Sequence, residues 1–387
     1  MSAVDAIRAW SDEFTAIRRD FHAHPELGLE EVRTAGIVAA KLREWGIEVH
    51  EQVGKTGVVG VLRKGTGKGR VGLRADMDCL PMDEQTNLPY RSNTPGKMHA
   101  CGHDGHTTML LAAAKYLATE ATFDGTVNFI FQPGEEGIGG ALAMLNDGLF
   151  DRFPCDAIYA LHNRPGMAPD EYAIAPGPSA AGGAFFDITI TGRGSHGARP
   201  EASIDPLLVA CHITTALQSV VARNIPPADT AVLSVTKIVG GDAYNVIPQT
   251  AIISGTCRAF KREVMDMMET NMKRIAKGVA EGFGATAEVD FRFIFAPLIN
   301  DAAETTHLAD AAAQLVGDPK VDRVKPPGMG SEDFSFMMEK VPGAYIQVGN
   351  GESAQLHNPA YNYNDETTPF GAAVLATVAQ QRLATLG

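Results

Sequence analysis

The chain has 387 residues, of which 45% are hydrophobic and 20% are charged, and its formal net charge at pH 7 is −13 with histidine neutral. This length predicts two domains, each large enough to bury its own core, and the composition is that of an ordinary globular protein. Because lysine and arginine are scattered along an acidic chain, we expect neither nucleic acid nor an anionic membrane as a partner.

The cysteines and the apolar segments indicate the cellular compartment. No apolar run reaches the roughly 20 residues that cross a bilayer, and the first residues lack the apolar core of a signal peptide. Five widely spaced cysteines are poor material for a disulfide framework; they are Cys79, Cys101, Cys155, Cys211 and Cys257. These features predict a cytoplasmic protein with no membrane partner.

The first half of the chain alternates helical and strand-like segments. Apolar spacing predicts helices at 3–19, 30–45, 107–117 and 140–145, and strands at 57–62, 71–74, 126–131 and 157–161. This alternation is typical of an α/β layered domain with a largely parallel sheet, whose functional residues gather at the carboxyl ends of strands. Polar residues occur at these strand ends: Asp76 and Asp78 after the second, Glu135 and Glu136 after the third, and His162 at the close of the fourth.

The composition shifts at the Pro- and Gly-rich segment 175–183, which predicts a hinge or a crossing strand. Beyond it, strands are predicted at 184–191, 231–239, 250–258 and 286–295, and helices at 205–222 and 262–284. The order βαββαβ is that of a ferredoxin-like α+β unit. Helices and a short strand (344–348) return after Pro297, ending in a helix at 367–386. We therefore expect a discontinuous catalytic domain (1–180 and 297–387) with an inserted α+β domain (181–296).

The segment Met98–His106 reads Met-His-Ala-Cys-Gly-His-Asp-Gly-His. Histidine and cysteine at such short spacing are the usual ligands of zinc-like metals. In a loop, Cys101 and His103 can reach the same side, and the intervening glycines allow tight turns. His99 and His106 are ambiguous: His106 is placed at the start of a helix, where a supporting role is at least as good an interpretation as ligation.

Glu135 and Glu136 are adjacent carboxylates flanked by Gly134 and Gly137. Adjacent glutamates are usually solvated surface, but after a strand and between glycines they can converge on one site at different distances from it. One can then bind a metal while the other takes a proton from an activated water, which is typical of a metallohydrolase. His162 and His357 are further candidate ligands, although a lone histidine is more often structural.

Six motifs occur in order along the chain, and together they resemble the M20 metallopeptidase family in its amidohydrolase branch. The similarity runs from about Phe21 to Asp365. The motifs are His22-Ala-His-Pro-Glu-Leu27, Arg74-Ala-Asp-Met-Asp78, the Met98–His106 segment, Gln132-Pro-Gly-Glu-Glu-Gly137, Gly194-Ser-His-Gly-Ala-Arg-Pro200 and Gly330-Ser-Glu-Asp-Phe334. This branch contains hippurate hydrolases, bacterial N-acyl-amino-acid amidohydrolases and plant auxin-conjugate hydrolases.

The resemblance implies two divalent ions (zinc, manganese, nickel or cobalt) with Cys101 as the bridge and Glu135 as general base. The implied ligands are Cys101, His103, Glu136, His162 and His357. It also implies that His196 of an inserted lid domain assists the reaction and that Asn245 and Arg258 contact substrate. We assign Asp76 and Asp78 a role in orienting the ligands. The inserted domain is expected to mediate a homodimer or a higher oligomer.

The activity that this resemblance implies is hydrolysis of N-acyl or N-aroyl amino acids to a carboxylic acid and a free amino acid. One alternative is a dinuclear metallopeptidase that cleaves dipeptides or carboxy-terminal residues. A second alternative is a non-catalytic metal-binding protein on the same fold, against which the intact Glu135 argues. A mononuclear structural zinc site is less favoured, because the candidate ligands span both halves of the catalytic domain and include carboxylates.

Overall fold

The computed structural model describes residues 2–386, and they form two compact units. The larger unit contains the residues up to Ser179, the segment Ile299–Pro326 and the residues from Asp333 onward. The smaller unit contains Ala180–Leu298 and Pro327–Glu332. Within residues 2–386, every helix is too short or too polar to cross a membrane.

Residues 2–180 contain six helices and seven strands. The helices are α1 (Ala3–Arg8), α2 (Ser11–Ala23), α3 (Val32–Glu44), α4 (His103–Thr119), α5 (Gly140–Asn146) and α6 (Leu149–Arg152). The strands are β1 (Glu48–Val53), β2 (Gly57–Lys64), β3 (Arg70–Asp76), β4 (Gly125–Gln132), β5 (Ala157–Arg164), β6 (Tyr172–Ala173) and β7 (Gly177–Ala180).

The remaining elements follow in chain order. Those up to Leu298 are β8 (Gly182–Thr191), β9 (Ser195–His196), α7 (Pro206–Ser219), β10 (Ala231–Val239), β11 (Val246–Ile247), β12 (Thr250–Ala259), α8 (Arg262–Gly282) and β13 (Thr286–Phe295). Those after it are β14 (Leu298–Asn300), α9 (Ala302–Val316), β15 (Val321–Asp322), α10 (Phe334–Met338), β16 (Gly343–Gly349) and α11 (Thr368–Leu386).

The local predictions fail for one helix, one strand and the position of His162. The helix predicted at 3–19 is two helices, because Trp10 leaves the helical conformation (φ −105°, ψ 14°) and Asp12 and Glu13 begin a new first turn, where acidic side chains favour a helix start. Strand β1 was not predicted, because it is a largely solvent-accessible strand without an apolar run. His162 does not close its strand but lies inside β5, two residues before the end.

The larger unit is built on an eight-stranded sheet with the order β1-β2-β4-β3-β5-β16-β6-β15. Its centre is parallel, because β3 pairs in parallel with β4 and β5, and β16 pairs in parallel with β5. The carboxyl ends of β3, β4 and β5 therefore meet at one edge of the sheet. Helices α4 and α11 are mostly buried, and their side chains join the main core with those of α2 and α3. The α/β prediction is confirmed.

The smaller unit contains a four-stranded antiparallel sheet with the order β10-β12-β8-β13. Helices α7 and α8 complete the βαββαβ order that the sequence predicted for this region. Apolar residues alternate along β8, and Phe186, Ile188 and Ile190 are buried in a separate core with the methionines of α8. This core is the smaller unit's own.

Candidate active site

The carboxyl-end edge of the large sheet collects the polar residues that the sequence placed after strands. Asp76 is the last residue of β3 and Gln132 is the last residue of β4. Gly134, with φ +58°, turns the chain so that Glu135 and Glu136 follow. Asp78 accepts a hydrogen bond from the Glu136 backbone N–H at 2.9 Å, which holds this turn against the end of β3.

Cys101 and His103 lie at the start of α4. The helix begins at His103, four residues before the predicted start, so His103 is helical rather than in a loop. Gly102 precedes the helix with φ +90°, and a Cβ there would lie 2.3 Å from Asn163 Nδ2. Only glycine therefore fits between the two candidate ligands.

Five side chains form two groups of three that share Cys101. The groups are Cys101 with His103 and His162, and Cys101 with Glu136 and His357, and within each the candidate ligand atoms lie within 4.8 Å of one another. Cys101 Sγ lies 3.3 Å from His162 Nε2, and His357 Nε2 lies 3.2 Å from Glu136 Oε1. A thiolate common to two groups is the arrangement that two ions with one bridging ligand require.

The histidine hydrogen bonds test whether these residues fit metal ions. His103 Nδ1 contacts Asp78 at 3.2 Å, and His162 Nδ1 donates to the Asn163 carbonyl oxygen at 2.7 Å. His103 Nε2 is buried and makes no hydrogen bond. A ligating histidine presents one nitrogen to the metal and donates from the other to a carboxylate or carbonyl, so the site fits metal ions.

The electrostatics of the site point to the same interpretation. Burial and the neighbouring Glu136 raise the pKa of the Cys101 thiol. The hydrogen bonds that His357 makes to Cys101 and Glu136 raise the pKa of His357 to about 10. Burial acts to lower the pKa of His103, but Asp76 and Cys101 outweigh it and hold that pKa well above its usual range. The donor set therefore concentrates negative charge, which divalent cations can neutralise in place of protons.

His357 reaches the site from the loop that precedes α11. Its backbone has φ +60°, which is uncommon for a residue with a side chain. Its N–H donates to the Ala100 carbonyl oxygen at 2.8 Å, which fastens this loop to the segment just before Cys101. The backbone of His357 thus adopts a strained conformation where its side chain reaches the other candidate ligands.

Glu135 is buried, with 6% of its surface exposed. Its carboxylate lies in a group with His103 and Glu136 whose candidate ligand atoms are within 4.8 Å of one another. Asp76 is held differently: one oxygen is 2.6 Å from His106 Nδ1, and the other accepts from Arg74 Nη1 at 2.8 Å. Both oxygens of Asp76 are therefore already engaged by neighbouring side chains.

His106 and His99 do not join the two groups. His106 Nε2 accepts hydrogen bonds from the Asn163 backbone and side chain at 3.0 and 2.9 Å, so both of its nitrogens are occupied. His99 is buried without a hydrogen bond on either nitrogen, and burial lowers its pKa to about 4, which makes it a neutral core residue. His22, whose role the sequence left undefined, lies 2.8 Å from Asp104 Oδ2.

Two supporting residues were missed by sequence reasoning. Asn163, which directly follows His162, donates to the Cys101 carbonyl oxygen at 2.7 Å and accepts from the Tyr361 hydroxyl at 2.7 Å. Asp333 accepts from Gln132 Nε2 at 2.6 Å and from the Ala141 N–H at 2.9 Å. For Asp333 the available signal was its place in the motif Gly330-Ser-Glu-Asp-Phe334. For Asn163 the signal was its position next to His162, a candidate ligand.

The three remaining candidates belong to the smaller unit. His196 is exposed on β9, which pairs with β11, and the Gly197 N–H donates to the Asn245 carbonyl oxygen at 2.7 Å. The Ala198 N–H donates to His196 Nδ1 at 3.1 Å, which leaves Nε2 as the donor nitrogen. Arg258 on β12 donates to the Cys257 carbonyl oxygen at 2.9 Å.

Comparison with known proteins decides the family. The model of the peptidase family M20/M25/M40 matches residues 72–381. The chain belongs to this family. It is 41% identical over 383 residues to a hippurate hydrolase of Campylobacter jejuni, covering 99% of this chain and 100% of that protein. It is 37% identical over 377 residues to an N-acetylcysteine deacetylase of Bacillus subtilis, covering 97% and 98% of the two chains.

A solved structure from the same family agrees in fold. A dinuclear metal-binding M20 peptidase of Bacillus subtilis superposes with a TM-score of 0.85 at 33% identity, covering 98% of this chain and 99% of that one. The relatives belong to the amidohydrolase branch of the M20 family. This M20 chain is accordingly an amidohydrolase, an enzyme that hydrolyses amide bonds.

Proposed function

We propose that the enzyme cleaves the amide bond of N-acyl or N-aroyl amino acids and releases a carboxylic acid and a free amino acid. One observation carries this proposal: two groups of candidate ligands share Cys101, and the Glu135 carboxylate lies beside them. The hippurate hydrolase and the N-acetylcysteine deacetylase support the substrate class, since both names describe N-acylated amino acids. The substrate is thus a small molecule.

Cys101, His103, Glu136, His162 and His357 would hold two divalent ions, and Cys101 is common to the two groups of candidate ligands. When bound, these ions would supply Lewis-acid activation of the scissile carbonyl and of water. Asp78 would orient His103 and Glu136, and Asp76 would keep His106 in place. On ligand type, a thiolate favours zinc, nickel or cobalt over manganese.

Glu135 is proposed as the general base. Its carboxylate would accept a proton from the attacking water and then deliver it to the leaving amine nitrogen. His196 Nε2–H would donate a hydrogen bond to the developing oxyanion when the smaller unit acts as a lid. Asn245 and Arg258 are retained as proposed substrate contacts.

The adjacent glutamates provide a matched test. Glu135→Gln should retain the metal ions and lose about 10²- to 10⁴-fold in kcat, whereas Glu136→Gln should lose metal as well as activity. Metal content by elemental analysis and the release of free amine measure the two effects. Substantial residual hydrolysis by Glu135→Gln, or less than about one ion per chain in the wild-type protein after reconstitution, would overturn the assignment.

A substrate panel separates the proposed activity from that of a dipeptidase. N-benzoyl, N-acetyl and N-indoleacetyl amino acids should be cleaved faster than dipeptides with a free α-amino group. A clear preference for the unblocked dipeptides would favour the metallopeptidase alternative.

We further propose that the smaller unit mediates dimerisation and that the protein is cytoplasmic. Strand β10 lies at an edge of the four-stranded sheet and exposes Ile238 and Val239 by 44% and 49%, and an exposed apolar edge is suited to pairing with a second chain. The five cysteines are unpaired, as in a reducing compartment. Light scattering on the purified protein measures the oligomeric state, and a monomer would contradict the proposed dimerisation.

A further inference from the structure

A cavity of about 700 Å³ lies in the larger unit at the opposite end of β3 from the candidate metal ligands. Its lining includes His50, Arg63, Lys68, Arg70, Thr126 and Asn128. Arg70 begins β3 and Asp76 ends it, so the strand separates the two places by about 20 Å. The cavity is therefore a different place from the candidate active site.

Three polar side chains form a row across its floor. Arg63 on β2 pairs with Thr126 on β4, and Thr126 pairs in turn with Arg70 on β3. Residues paired in this way point to the same face of a sheet, and neighbouring strands lie about 4.8 Å apart. The two arginines therefore stand about 10 Å apart at their Cα atoms, with the Thr126 hydroxyl between them.

The cations of the cavity are not all neutralised. Among residues 2–386, neither the Arg63 guanidinium nor the Lys68 ammonium has an ion-pair partner. Arg70 uses Nε and Nη2 with Asp156, which leaves Nη1 free to donate, and Arg152 contacts Asp147 through Nη1. Two unpaired cations in one cavity of a chain with net charge −13 indicate an anionic ligand.

Carboxylates near the cavity are already engaged. Glu48, the one acidic residue that lines it, lies 2.8 Å from His50 Nε2. Asp124, at the edge, accepts hydrogen bonds from the backbone N–H groups of Thr66 and Gly67. These contacts leave Arg63 and Lys68 as the groups available to a ligand.

The rest of the cavity suits an organic body attached to the anion. Asn128 is 2% exposed, and its Nδ2 donates to the carbonyl oxygens of Phe153 and Pro154 at 3.4 and 3.2 Å. Its Oδ1 remains an acceptor, suited to a ligand hydroxyl. Phe153 is only 5% exposed, because the His50 ring and the Arg152 guanidinium lie against its ring at 4.8 and 5.1 Å. The accessible ring of the cavity wall is therefore that of His50, whose side chain is 34% exposed. An aromatic wall of this kind favours a flat ring.

We propose that this cavity binds a phosphate monoester that carries a hydroxylated, ring-bearing body, of the chemical class of a nucleoside monophosphate. A phosphate group offers three acceptor oxygens and nearly two charges, enough for Arg63, Lys68 and the Thr126 hydroxyl together. A single carboxylate offers two oxygens and one charge. The ring would contact His50 and Pro154, and a ribose hydroxyl would donate to Asn128 Oδ1.

The test is calorimetric titration of the metal-loaded enzyme with adenosine monophosphate at low ionic strength, because salt screens exposed charges. The double variant Arg63→Gln/Lys68→Gln should weaken binding by about tenfold or more. The control Arg91→Gln/Lys340→Gln removes the same charge from two exposed residues outside the cavity and should leave binding within about twofold.

Adenosine and citrate complete the experiment. Adenosine, which lacks the phosphate, should bind at least about tenfold more weakly than the monophosphate. The proposal is overturned if the monophosphate binds the double variant and wild type equally, as it would at the metal centre, or if no binding occurs at about 1 mM. Tighter binding of citrate than of the monophosphate through the same two residues would overturn the phosphate assignment.

Discussion

Asn163 joins three parts of the candidate active site through hydrogen bonds. Its side chain donates to His106 Nε2 and to the Cys101 carbonyl oxygen, and its Oδ1 accepts from the Tyr361 hydroxyl. Because it also follows His162 directly, it connects Cys101, at the start of α4, to a histidine on β5. Its side chain is buried, so each lost contact would leave an unpaired polar group.

We predict that Asn163→Ala weakens metal binding by about 10- to 100-fold, as loss of supporting hydrogen bonds around metal ligands does. The measurement is competition of the purified protein with a metal chelator. Asn300→Ala is the matched control: Asn300 is buried with hydrogen bonds to Ala175 and Tyr345, so it should lose stability but keep its metal affinity. Equal metal affinities for wild type and Asn163→Ala would contradict the positioning role.

Glu31 is a buried carboxyl that supports the turn before Glu135. It accepts from the Thr56 hydroxyl at 2.6 Å and from the Gly134 N–H at 2.8 Å. Burial raises the pKa of Glu31 to about 7, against about 4.3 in an unfolded chain. Since the folded-state pKa is the higher one, the contribution of Glu31 to stability is fully present below about pH 4.3 and is lost as pH rises through 7.

We predict that the unfolding free energy of Glu31→Gln, measured relative to that of wild type, rises by about 2 kcal/mol when the pH is raised from 5 to 8. The amide keeps an acceptor for Gly134 but never carries the buried charge. Urea unfolding at the two pH values measures the difference, and Glu339→Gln, at an exposed position, is the control. If the difference in unfolding free energy between wild type and Glu31→Gln is the same at both pH values, the pKa of Glu31 is not raised in the folded protein.

At the scale of elements, the contact of α4 with α11 has little spare volume. A Cβ on Gly371 of α11 would lie 1.8 Å from Met109 Sδ on α4 and 3.4 Å from Leu161 Cδ2. Met109 is fully buried, so its side chain has little freedom to move away. Gly371 lies in the first turn of α11, where the close approach of Met109 gives a packing reason for a residue that otherwise lowers helix stability.

We predict that Gly371→Ala destabilises the protein by about 1–3 kcal/mol through overpacking. Gly36→Ala in α3 has nothing within 4 Å of the new Cβ and should stabilise the protein by about 0.5–1 kcal/mol. Chemical unfolding of both variants against wild type measures the two effects. If both variants changed the unfolding free energy in the same direction, the packing explanation would be contradicted.

At the scale of the whole molecule, the candidate ligands connect segments that are distant in sequence. Cys101 and His103 lie at α4, Glu136 follows β4, and His357 lies in the loop before α11. Ions bound to the folded state alone would stabilise all of these contacts at once.

We predict that chelation lowers the Tm of the metal-loaded enzyme by about 5–10 °C, which corresponds to about 4 kcal/mol when the free metal is near a thousand times its Kd. Calorimetry before and after chelation, with zinc added back, measures the change. The loop that carries His357 should exchange its amide hydrogens faster after chelation. The Glu136→Gln variant should show a much smaller shift, and an equal shift in that variant would argue against binding at this site.

The sequence by itself determined the layered fold and the identity of the candidate ligands. The main strands are long apolar runs and most helices have clear periodicity, so local patterns were sufficient to predict them. The short or polar elements, such as β1, were missed because their pairing partners stabilise them rather than their own residues. The break at Trp10 likewise interrupts a pattern that reads as continuous.

Only the tertiary structure decided which histidine nitrogens stay free of hydrogen bonds. His103 and His106 lie in the same motif, but His103 keeps a free nitrogen beside Cys101, whereas both nitrogens of His106 are occupied by Asp76 and Asn163. The two histidines differ because His106 has hydrogen-bond partners on β3 and β5. The spacing of residues along the chain does not predict these partners. The ability of a histidine to bind a metal follows from its residue type. Which of its nitrogens is available for a metal depends on the neighbours that the fold places around it.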